Sequence, residues 1–241
     1  EGYLPRLLME RTVMGEVVRS NAAVEEIEED VLKAALNAAA RGGEVAAAGE
    51  SRLGPSVAAI VSSKAVMLAA QSAASLAWAP VEAEDGKADK TIGRVRDAMW
   101  NALGRPKQHA ALDGAVPGGI GTYTNGDIHG QPALMGVFAA RIRATETPKW
   151  SEAAREAWAT EITVSAGALK TVLDAHAPHA AAETVAEAGY RSAIRNGHSK
   201  LAMFKRDLLN LGMTEAQAHE IIPDAETRPP KKKKTPDEPK K

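Results

Sequence analysis

Cysteine is missing altogether from this chain of 241 residues. That excludes a disulfide scaffold, a thiol nucleophile, a Cys-ligated zinc finger and an iron–sulfur protein. Aromatic residues are scarce, with four Trp, three Tyr and two Phe, so no aromatic platform for stacking nucleic-acid bases can be read from the sequence. Catalytic signatures are missing too. There is no Gly-x-Ser-x-Gly, no Gly-rich loop ending in Lys-Ser/Thr, no Glu-x-x-His pair and no Asn-x-Ser/Thr sequon. Net charge is small, a formal -1. That figure hides an asymmetry: residues 228–241 carry a net +5, which leaves -6 for the rest.

Alanine fills much of the space these types leave, at 48 residues. Ala is the strongest helix former because ordering it costs no side-chain entropy. The length suffices for a sizeable core. The expected fold is all-α: a bundle of long Ala-rich helices, a Gly-rich loop and β-hairpin insertion, and a disordered basic C-terminal tail. The expected organisation is an N-terminal helical segment over 1–104, the insertion over 105–130, a C-terminal helical segment over 131–222 packed on the first as one domain, and a Pro/Lys-rich tail over 223–241.

The clearest periodicity opens the chain. Val13, Val17, Ser20, Val24, Ile27, Val31, Ala34 and Ala38 alternate steps of four and three, a heptad seam that requires a long helical partner in this chain or in a second copy. Gly42-Gly43 ends it. Ser56, after Pro55, reads as the N-cap of a nearly all-apolar helix that stops at Pro80. Such a helix belongs at a bundle centre or under neighbouring subunits, and Lys64 and Gln71 inside it argue against a membrane span. Charged Val81–Lys90 reads as a loop, followed by a helix over about 91–103.

Gly114, Pro117, Gly118, Gly119, Gly121, Gly126 and Gly130 break any helical period between 104 and 131. Within that stretch, 122–129 fits a hairpin with an Asn125-Gly126 type I′ turn. Tyr123, Asn125 and Gly126 thus become candidate contact residues, since loops this long are seldom inert. Further helices are expected over about 131–144, from a Thr147 cap to about 175 with a seam at Trp158, Ile162, Ser165, Leu169, Val172 and His176, over 179–196 after a break at Pro178, and over 199–211. The last is amphipathic through Leu201, Phe204, Leu208 and Leu211. Gly212 stops it, and Thr214 caps a final turn.

Two features invite a chemical reading. His176 and His179 are a local imidazole pair with Glu183 one turn on, but they straddle Pro178 and offer no full ligand set. Glu25, Glu26, Glu28, Glu29 and Asp30 cluster on the first helix. There Ile27 and Val31 hold the seam, so most of these acids should face solvent, with Glu29 to Lys33 an i,i+4 pair. No metal, cofactor or catalytic residue is assigned.

The leading expectation is a non-enzymatic structural or assembly protein, as in a filament, shell, virion or secretion-type machine. It would self-associate or dock through Val13, Val17, Val24, Ile27, Val31, the insertion and the tail. One alternative is a bundle that binds a metal or ligand, or an enzyme, using His176, His179, Asp127 and His129. Another is a protein that contacts nucleic acid or an acidic surface weakly through Lys231, Lys232, Lys233 and Lys234. The chain starts at Glu1, so a removed signal would be invisible. Cytoplasm or an assembled particle is favoured as its location, with secretion left open.

Overall fold

A computed structural model describes residues 22–223. Among them are α1 (Val24–Arg41), α2 (Gly43–Ala102), α3 (Ala110–Ala115), α4 (Gly121–Thr124), α5 (Gln131–Ala144), α6 (Glu152–Asn210) and α7 (Glu215–Ile221), with no strand. The all-α expectation holds. Val13, Val17 and Ser20 of the seam, and the tail with Lys231, Lys232, Lys233 and Lys234, lie outside the described residues.

Several helix ends follow local chemistry. Gly42 takes φ 75° after α1 and Gly212 takes φ 82° after α6, a conformation glycine adopts without a Cβ clash. Thr214 caps α7 in a capping box, its side chain accepting from Gln217 N–H while the Gln217 side chain accepts from the Thr214 backbone. The start of α6 differs from expectation: Ser151 Oγ accepts from Ala154 N–H at 3.2 Å, whereas Thr147 sits in a preceding turn.

The expected breaks inside the long helices are corrected. α2 runs for 60 residues through Pro55, Ser56, Pro80 and the charged stretch 81–90. Its core seam continues there as Val81, Ala88, Ile92, Val95 and Met99, all nearly inaccessible. Burial of that stripe offsets the bonds that proline removes. α6 likewise runs for 59 residues with Pro178 inside it. The β-hairpin over 122–129 does not form. Residues 121–124 make the short α4, and Asn125 has φ -112°, whereas a type I′ turn needs positive φ at both central positions.

The described residues divide into two compact units, each drawing on both α2 and α6. The first comprises 22–67 and 186–223. Its core joins Ile27, Val31, Ala34 and Ala38 of α1 with Leu53 and Ile60 of α2, and with Ile194, Leu201, Phe204 and Leu208 of α6. Helices approach closely where glycine allows. A Cβ at Gly49 would lie 2.6 Å from Ala38 Cβ, and one at Gly197 would lie 2.9 Å from Ile60 Cδ1. Arg52 pairs with Asp207, its Nε at 2.7 Å, and Asn37 Nδ2 donates to the Ile221 carbonyl at 2.9 Å, tying α7 to α1.

The second unit is Leu68–Val185. Its core sets the α2 seam against Met135, Phe138 and Ile142 of α5 and Ala159, Ile162, Ala166 and Leu169 of α6. Ile162 and Leu169 of the expected α6 seam are buried, while Ala159, Ala166 and Leu173 replace Trp158, Ser165 and Val172, each one residue on. Small Ala159 and Ala166 take the buried positions, and Trp158 packs at the margin with its ring 5.7 Å from that of Trp150. Trp150 is buried, its indole N–H donating to the Met99 carbonyl at 3.2 Å.

Candidate interaction surface on α2

The apolar stretch of α2 is where expectation and structure part most informatively. Gly49, Leu53, Ser56 and Ile60 are buried, and their steps of four, three and four face them into the first unit's core. Lys64 extends that row. It is the lone charged residue between Leu53 and Val81, and its Nζ donates to both Glu28 carboxylate oxygens, at 2.9 and 2.8 Å. Tyr190 of α6 donates its hydroxyl to Glu28 Oε2 at 2.6 Å. This three-helix polar contact fixes which way α2 turns in the first unit.

The consequence is that bulky apolar residues off that row point outward. Val61 is 55% and Val66 58% exposed in the first unit; Leu68 is 53% and Leu76 75% exposed in the second. Within α2 one 18-residue window is apolar enough to cross a membrane by length and composition, yet only 17% of it is buried. The helix expected at a bundle centre therefore leaves much of its apolar surface uncovered within this chain.

The contact shifts two titrations. For Glu28, burial alone would raise the carboxyl, but hydrogen bonds from Lys64 and Tyr190 and the Lys64 charge outweigh it and hold it below the ordinary glutamate value. For Tyr190, burial, the Glu28 hydrogen bond and the carboxylate charge push the phenol up, so it stays protonated as the donor.

The other sequence-derived candidates fall as follows. Val24 is partly buried against the first unit's core, while Ile27 and Val31 are 3% and 0% exposed, so this part of the seam is satisfied by helices of the same chain. Tyr123 is buried in the second unit, its ring 5.0 Å from that of Phe138, and Arg141 Nη1 donates to its hydroxyl at 3.5 Å. Asn125 and Gly126 are exposed. Folding brings His129 and His176 to one indole, their rings 6.2 and 4.8 Å from that of Trp78. His179 is exposed on α6. Among the described residues no group of three or more His, Asp or Glu side chains is placed to hold a metal ion.

Of the acidic cluster, Glu25 and Glu29 are exposed and Glu26 is partly so, with Glu29 pairing to Lys33 as expected; Glu28 and Asp30 are the exceptions, at 7% and 9% exposed. Sequence reasoning missed Lys64 and Tyr190 as the partners of Glu28. The usable signal was Lys64 itself, a single charge in a long apolar stretch, which must either reach water or find a carboxylate. Comparison with family models, with curated proteins and with solved structures finds no match for this chain.

Proposed function

We propose that this protein is a non-enzymatic structural component that self-associates, covering the outward apolar residues of α2 with further copies. The observation that carries this reading is the exposure of Leu76 and its neighbours in a stretch with no charge but Lys64. Apolar side chains gathered in this way favour association, since burying them releases about 25 cal/mol per Å². The interspersed Ala and Ser residues permit close helix approach, and the uncharged surroundings of Leu76 suit a like surface on a second copy. Asn125 and Gly126 of the insertion are exposed and open to additional contacts.

A bilayer is the other medium that would cover such a stretch. Protein contact is favoured because Lys64 is engaged with Glu28, Gln71 and several Ser residues interrupt the stretch, and the same helix continues on either side into residues that build a core. The test is solution mass by light scattering after size exclusion for the wild type and for Leu76→Asp, with vesicle flotation of the same samples. An oligomer that Leu76→Asp reduces in mass supports the reading. A wild-type monomer, or partition into vesicles, overturns it.

A further inference from the structure

A second surface lies in the unit Leu68–Val185, where α2 ends. Gly104 takes φ 85° and Arg105 then takes φ 57°, the one non-glycine residue with positive φ among the described residues. An L side chain is disfavoured in that region because its Cβ crowds the following carbonyl oxygen, and the following Pro106 restricts Arg105 further. The strained residue is nonetheless a large exposed cation. Its Nε donates to Asn101 Oδ1 at 2.7 Å, and its guanidinium stands 5.7 Å from the centre of the Trp100 ring. Arg96 places a second guanidinium 5.3 Å from the same ring. The indole is itself held, its N–H donating to the Pro106 carbonyl at 2.9 Å. Two like charges are thus gathered on one ring, with Lys107 exposed close by in sequence. The nearby anions are Asp97, which accepts from Arg96 Nη1 at 2.9 Å and is itself 62% exposed, and Asp113.

Arg96 also borders an open groove of about 500 Å³ whose wall includes Leu112, Val116 and Ile120, with Asp113 and Gly119. We infer that this groove and the Arg96–Trp100–Arg105 cluster form a docking surface for an acidic polypeptide segment bearing an apolar side chain. Guanidinium groups held against an indole present their N–H edges to carboxylates, for which a planar fork is well matched. The aliphatic wall accepts the apolar side chain. Nucleic acid fits less well, because the indole is engaged by two arginines rather than open to a base.

The surface is separate from the α2 contact, so Leu76→Asp should leave it unchanged. The test is fluorescence anisotropy of a labelled synthetic peptide of alternating Leu and Glu with the full chain, at two salt concentrations. A peptide with Lys in place of Glu and a labelled oligothymidylate are run beside it. Arg105→Gly suits the backbone and removes the cation; Arg96→Gln removes the other. The Leu/Glu peptide is expected to bind, to weaken with salt and to lose about tenfold in affinity in each variant, while Arg105→Gly keeps or raises the thermal midpoint. Absence of binding, binding indifferent to both variants, or tighter binding of the oligothymidylate or the Lys peptide overturns the inference.

Discussion

The Tyr190 hydroxyl meets Glu28 Oε2 at 2.6 Å across 162 residues of sequence, and Lys64 reaches the same carboxylate from α2. Tyr190→Phe removes one donor to a buried charge and should cost about 1.5–3 kcal/mol. Lys64→Met should cost about 2 kcal/mol, below the 3–5 kcal/mol of a fully buried pair, because the Lys64 side chain is 44% exposed and water screens it. Urea unfolding of both single variants and the double variant measures these costs. Effects that add without coupling would show that the three groups do not act together.

Acid should expose the same contact. Glu28 titrates below its ordinary 4.5 when folded, so its stabilisation is complete above that value and is lost as pH falls through the lower folded value. Glu28→Gln should therefore flatten the acid limb of a stability profile. Unchanged slopes below the ordinary value would contradict this.

Asp89 should behave in the opposite sense. Burial and then the charge of Asp85 raise its carboxyl above the ordinary 3.8, a rise only partly offset by Gln131. Gln131 Nε2 donates to Asp89 Oδ1 at 2.9 Å. The folded state therefore disfavours the charged form, and stability contributed by Asp89 falls as pH rises from the ordinary value through the raised one. Asp89→Asn keeps an acceptor for Gln131 and removes the charge, so its thermal midpoint at neutral pH should exceed that of the wild type.

Helix approach in the first unit depends on two glycines. Gly49→Ala places a Cβ 2.6 Å from Ala38 Cβ, and Gly197→Ala places one 2.9 Å from Ile60 Cδ1 and 3.3 Å from Val31 Cγ2. Overpacking of this kind costs about 1–3 kcal/mol. Gly49→Ala should be the worse of the two, because its neighbour is a short side chain that cannot swing aside. Denaturant midpoints for the pair decide the order.

Pro178 lies exposed inside α6. Pro178→Ala restores one backbone donor and relieves the ring clash, a gain of up to about 3 kcal/mol in a helix interior. A raised thermal midpoint is expected. A lowered one would mean that a bend at this position is needed.

Local chemistry by itself determined a good part of this protein. The Ala content demanded helices, Gly42 and Gly212 ended two of them, and Thr214 with Gln217 capped α7. Leu201, Phe204 and Leu208 marked a buried face. These are properties of a few neighbouring residues, and the physics that decides them acts over one or two helical turns. Tertiary packing decided the rest. Whether Pro80, the charged stretch 81–90 and Pro178 break a helix depends on the area buried by the turns on either side, which neighbours in sequence do not supply. The seam Val81, Ala88, Ile92, Val95 and Met99 was visible in principle, but only to a reading that counts Ala88 as core. Tyr123 moved from a presumed contact surface into the core because Phe138 is there to receive it. The outward turn of Leu76 is likewise decided at a distance. A helix apolar on every side carries no local preference for which residues it buries, so in the first unit Glu28 and Tyr190, through Lys64, choose the face of α2, and in the second the seam from Val81 does so.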